Sequence, residues 1–104
     1  MTEAGRHSWR TKELRELSEA ILALESRAEV ERFLRDLCTL AELEAMAHRW
    51  AVAQLLDRGL PYLDVAQKTH ASTTTVTRVA HWLRHGEGGY RLALDRMKEA
   101  ASTA

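Results

Sequence analysis

The segment from Pro61 to Arg84 constrains the fold more than any other, because its order of residues suits two short helices meeting at a tight turn and little else. Pro61 fits the first helical position, where a missing amide proton breaks no intrahelical bond. Ala66 stands where the two helices of such a pair approach most closely, so packing requires a small side chain there. Four residues later His70 occupies the turn, where the backbone goes left-handed. Glycine is common at that point, and histidine is among the side chains enriched in that region. Ser72 is a good N-cap for the second helix, and Ala71, Val76, Val79 and Leu83 carry the apolar contacts of its inner side.

What remains on the outside of the second helix is Ser72, Thr73, Thr74, Thr77, Arg78 and His81, all short hydroxyls or cationic groups. Hydroxyls near a helix N-terminus bond phosphates together with free backbone amides, and threonine methyls match thymine methyls in the major groove. Arg78 and His81 have the length to reach a phosphate or a base edge. Together with Lys68 of the first helix they make the expected double-stranded DNA contact set of a helix-turn-helix over 61–84. A threonine-rich face with one arginine is also an ordinary solvated surface, so a helical module that docks a protein partner is the alternative.

The remainder of the chain reads as helix as well, for an all-α fold of five or six helices with no sheet. Leu14, Leu17, Ile21 and Leu24 recur at three or four residues, which predicts a first helix over about 11–24. Ser26 followed by Glu29 has the spacing of a capping box and opens a second helix carrying Val30, Phe33, Leu34 and Leu37. Thr39 and Glu42 repeat that spacing ahead of a third helix, which Gly59 stops. This third helix is apolar around more than one stripe, from Leu43 and Met46 through Trp50 and Val52 to Leu56, wider than one amphipathic face needs. A dimer interface explains that breadth, and a central position in a monomeric bundle is the alternative. Residues 1–10 are expected to form a flexible tail ahead of a single helical domain over 11–104.

Total charge says little, since 15 Lys plus Arg balance 15 Asp plus Glu. The distribution is more informative. Residues 1–57 hold 8 basic and 11 acidic side chains, a balance of −3, while residues 58–104 hold 7 and 4, a balance of +3. The second half is the anion-facing half. No run of about 18 apolar residues occurs, and the first ten residues lack the apolar core of a signal peptide, so a cytoplasmic protein without a membrane partner is expected. Cys38 is single and lacks ligand-spaced Cys or His neighbours, which suits a small core residue. No Ser/His/Asp order, phosphate-binding glycine loop or HExxH pair is present, and His81 and His85 have no evident third ligand. Neither an enzyme nor a metal site is expected, and no cofactor is called for.

The stretch from Thr39 through Arg96 contains Glu42-Leu43-Glu44-Ala45, His48-Arg49-Trp50, Ala71-Ser72-Thr73, Thr75-Val76-Thr77-Arg78-Val79 and Gly88-Gly89-Tyr90. In these blocks it resembles the Trp repressor-like YerC/YecD proteins. The resemblance implies an intertwined homodimer whose helix-turn-helix heads enter successive major grooves, with the last helix, about 90–100, in the dimer core. It implies a DNA-binding transcriptional regulator, most simply a repressor. It also implies that Arg49 and Arg78 are the counterparts of two arginines that hold the tryptophan corepressor in Trp repressor. Val79 and Trp82 stand where that family keeps small residues, which disfavours tryptophan as the effector. Arg49 and Arg78 then bind another anion, or pair with Glu42, Glu44 or Asp95. The glycines at 86, 88 and 89 form the link between head and core.

Histidines stand at positions 48, 70, 81 and 85 as well as 7, and His81 and His85 lie on or just after the second helix of the motif. Protonation adds positive charge where a polyanion is expected to bind. Affinity for DNA is expected to be higher at about pH 6 than at about pH 8, measured by fluorescence anisotropy at fixed ionic strength; equal affinity would mean these histidines stay away from the phosphates.

Overall fold

The computed structural model describes residues 8–103, which contain six helices and no strand. They are α1 (Lys12–Ala23), α2 (Arg27–Leu37), α3 (Leu40–Asp57), α4 (Tyr62–Thr69), α5 (Thr73–His85) and α6 (Gly89–Thr103). Most of the tail expected over 1–10 lies outside the described residues. The chain divides into two compact units, Met1–Leu40 and Ala41–Ala104. None of the helices is long and apolar enough to cross a membrane.

In the first unit the caps follow the side chains. Thr11 Oγ1 accepts the Leu14 amide at 3.1 Å, and Ser26 Oγ accepts that of Glu29 at 3.2 Å, satisfying donors that lack an intrahelical partner. The reciprocal arm of the capping box differs by one residue from the expected pattern: the Glu29 carboxylate takes the amide of Glu25, at 2.7 Å, not that of Ser26. Neither α1 nor α2 buries a residue, and even Ile21, on the apolar stripe of α1, is 40% exposed. Cys38 follows α2 as a free, partly exposed thiol, not the core residue the sequence suggests, because the short unit around it has no buried interior to receive it.

The second unit holds the core. Val52 and Ala53 of α3, Val65 of α4, and Val76 and Val79 of α5 form one buried cluster, with Leu55, Leu60, Ala66 and Ala71 packed against it. Full burial of a valine-sized side chain is worth about 1.5–3 kcal/mol, so this cluster is the main force holding α3, α4 and α5 together. At the end of α3 the Gly59 backbone is left-handed, with φ +87. Its amide donates to Leu56 O at 2.9 Å and that of Leu60 to Leu55 O at 3.4 Å, the paired bonds of a Schellman stop.

Pro61 precedes α4 as its N-cap, with ψ 151, one position earlier than the sequence suggests. Its carbonyl, turned into the helix, accepts the Val65 amide at 3.0 Å. His70 is left-handed at φ 60 and ψ 22, as the turn requires. Ser72 Oγ then caps α5 by accepting the Thr75 amide at 3.1 Å.

α6 is tied to the C-terminal part of α3. Trp50 and Tyr90 stack with ring centroids 6.4 Å apart. Asp57, its side chain only 10% exposed, receives Arg91 Nη2 and Lys98 Nζ, each at 2.8 Å, and Asp95 holds Arg91 from within α6 at 3.0 Å. Hydrogen bonds from Lys98 and then Arg91 hold the Asp57 carboxyl below its ordinary value of 3.8, against a smaller opposing effect of burial.

Two outcomes follow for stability. Since the folded Asp57 carboxyl titrates below its unfolded value, its contribution is present above pH 3.8 and is lost as pH falls through the lower, folded value. Asp57→Asn is expected to lower the thermal midpoint at neutral pH, and the gap from the unsubstituted protein is expected to narrow in acid; a gap constant with pH would contradict the ion-pair account. At the turn, His70→Val is expected to cost about 1–2 kcal/mol in denaturant unfolding, because a β-branched residue tolerates the left-handed backbone poorly, while His70→Gly costs nothing or stabilises slightly.

Candidate nucleic-acid interface

The two faces of α5 have opposite characters. Val76, Val79 and Ala80 are buried on the inner side; Thr74, Arg78 and His81 lie opposite them, and Thr73 and Thr77 are exposed along the flank. These five are exposed and together line an open hollow of about 410 Å³. The first turn of α5 carries no acidic residue, so nothing offsets the positive end of its dipole. An anion approaching that end meets backbone amides, two threonine hydroxyls and, one turn further, a guanidinium.

The expected contact residues do not all come together. Ser72 is committed to the cap, its hydroxyl also donating to Thr75 Oγ1 at 3.1 Å, and it sits at the edge of the hollow's residues without lining it. Lys68 is exposed on α4 but likewise does not line the hollow. His81 stands edge-on to Trp82 at 5.2 Å and equally far from the ring of His85. Among the described residues no group of three or more His, Cys, Asp or Glu side chains is placed to hold a metal.

Arg78 also faces a second space. A cleft of about 550 Å³ is lined by Arg49 and His48 from α3, by Thr75, Arg78, Val79 and Trp82 from α5, and by Tyr90 of α6. The two arginines singled out in the sequence are thus brought to one cleft, and among the described residues neither makes an ion pair. Asp95 is held by Arg91 instead. Val79 is fully packed and Trp82 is 53% exposed, so these two bulky residues line the cleft without closing it. Behind Trp82 the chain leaves α5 through Gly86, where an added Cβ would come within 2.5 Å of the Trp82 carbonyl oxygen. Only glycine fits that close approach.

One contact near the site had no signal in the sequence. His48 Nε2 is hydrogen-bonded to the carbonyl oxygen of Thr69, the last residue of α4, across 21 positions of chain. A histidine in mid-helix carries no mark of such a partner. Thr75, which stands apart from the outward-facing set in the sequence, lines the cleft.

An all-helical chain in which buried valines mount a tight-turned helix pair, with hydroxyls and cations along the outer face of the second helix, is a helix-turn-helix protein. The chain belongs to the Trp repressor protein family, whose model matches residues 12–98. It is 43% identical over 90 residues to the uncharacterised protein YerC of Bacillus subtilis strain 168, covering 86% of each chain. Among solved structures it is similar to a TrpR-like protein from Eubacterium eligens, with 37% identity, a TM-score of 0.81 and coverage of 86% of this chain and 92% of that one. A protein described as a candidate Trp repressor from Staphylococcus aureus matches with 40% identity, again at a TM-score of 0.81, over 86% of this chain and 89% of that one.

Proposed function

We propose that this protein is a sequence-specific DNA-binding transcriptional regulator, acting as a repressor and working as a homodimer in the cytoplasm. The observation that carries this reading is the outer face of α5, where Thr73, Thr74, Thr77, Arg78 and His81 are exposed together on a helix anchored by its opposite face. Phosphate contacts by the N-terminal hydroxyls, Lys68 and Arg78 set affinity and register, and threonine methyls with Arg78 or His81 read base edges.

A second copy is part of the proposal because one chain leaves apolar surface uncovered. Leu22, Leu37, Leu40, Leu92 and Met97 are each more than half exposed, and α1 and α2 bury nothing. Exposed apolar residues at this density on amphipathic helices mark an interface. In this reading Arg49 and Arg78 are the effector-facing residues of the cleft, which Val79 and Trp82 line without closing, and the effector is an anion that two guanidinium groups hold. No catalytic role is assigned.

Selection of bound fragments from a random duplex pool at about 100 mM salt tests the proposal. Enrichment of a palindrome is expected, with binding of the enriched sequence weakened by about 1–3 kcal/mol in Arg78→Ala or Thr74→Ala. No enrichment, with or without amino acids added, would overturn the regulator reading and leave a protein-docking module in its place.

A further inference from the structure

We propose that His48 is the positioning residue that sets the angle of the reading head, α4 and α5, on the core helix α3. The inference deepens the DNA-binding reading of α5 and starts from the hydrogen bond between His48 Nε2 and Thr69 O.

His48 lies four residues before Val52 on α3, and Thr69 lies four residues after Val65 on α4, so each pair stands one turn apart on a shared stripe. Val52 and Val65 share the buried cluster. The His48–Thr69 bond is therefore a polar rung about 5–6 Å, one helical turn, from the apolar contact that joins the two helices. Apolar packing holds the helices together but fixes their angle less sharply than a hydrogen bond does, because dispersion contacts have no preferred direction. The polar rung is directional, and it falls at the end of α4 beside the turn that launches α5.

The acceptor is well prepared. Carbonyls in the last turn of a helix have no intrahelical donor. The Thr69 side chain does not compete for its own carbonyl, since its hydroxyl donates to Val65 O at 2.7 Å and accepts the Ala71 amide at 3.3 Å. The turn after it is held by left-handed His70. A carbonyl accepts only, so the neutral imidazole must carry its proton on Nε2. Glutamine places an amide donor near the position of Nε2, whereas leucine keeps bulk and loses the donor.

Hydrogen exchange without DNA is the test, at about pH 8, where histidine is ordinarily neutral. His48→Leu is expected to speed exchange in the segment 65–78 by roughly 2- to 12-fold, the effect of one net hydrogen bond, with α1 and α2 unchanged, and His48→Gln is expected to restore protection. Nitrogen-15 spectra of the unsubstituted protein are expected to show the Nε2–H tautomer. Exchange in 65–78 that is the same in all three proteins, or a ring protonated on Nδ1, would overturn the proposal. His48→Leu is expected to weaken binding to an enriched duplex and His48→Gln to restore it; weaker DNA binding with unchanged exchange would mean that His48 acts on DNA itself and not on the head. If the unsubstituted protein binds no duplex, the regulator reading fails, while the exchange and tautomer results still decide the role of His48.

Discussion

The valine cluster of Val52, Val65, Val76 and Val79 is the contact on which the rest of the second unit depends. It takes one side of α3, α4 and α5 and fixes which side of each remains outside. Because α5 spends Val76 and Val79 on that cluster and buries Ala80 beside them, helical periodicity delivers Thr74, Arg78 and His81 to the opposite face. Small residues at Ala66 and Ala71 let the two short helices close on the cluster, and left-handed His70 makes the sharp turn between them possible. The candidate interface is therefore a by-product of where the chain finds its core.

Around that centre the second unit is secured mainly by directional contacts. Asp57 gathers Arg91 and Lys98 of α6 near the end of α3, where Gly59 also stops the helix, and Trp50 stacks on Tyr90 one turn or more earlier. The first unit is different in kind. Its two helices are well capped and strongly amphipathic, yet they bury no residue. Helices of 12 and 11 residues are marginal in water on propensity alone, and apolar stripes such as those of Ile21 and Leu37 gain their stabilisation only from a surface that covers them. A second copy of the chain is the proposed cover.

Much of this was legible in the residues. The apolar spacing of Leu14, Leu17, Ile21 and Leu24 marked α1 to within one residue at each end, and the stop at Gly59, the turn at His70 and the cap at Ser72 were read from backbone and side-chain chemistry that acts over a few positions. Local rules failed by single steps where two neighbours compete, as at Pro61, which caps α4 without entering it, and at Glu29, which bonds Glu25 and not Ser26. They failed entirely where the partner is distant in sequence. Nothing in the chain signals that His48 meets Thr69 or that Asp57 collects two cations from α6. The partial burial of Cys38 escaped for the converse reason, since a small apolar residue type gives no clue that its unit lacks an interior.

The central claim is that two copies of the α4–α5 pair address DNA together, and a hydroxyl-radical footprint on an enriched duplex tests it most directly. Paired heads predict two protected patches of matching extent, centred about one helical turn, 34–36 Å, apart and related by a two-fold axis. One isolated patch, or protection without that phase, would contradict the account.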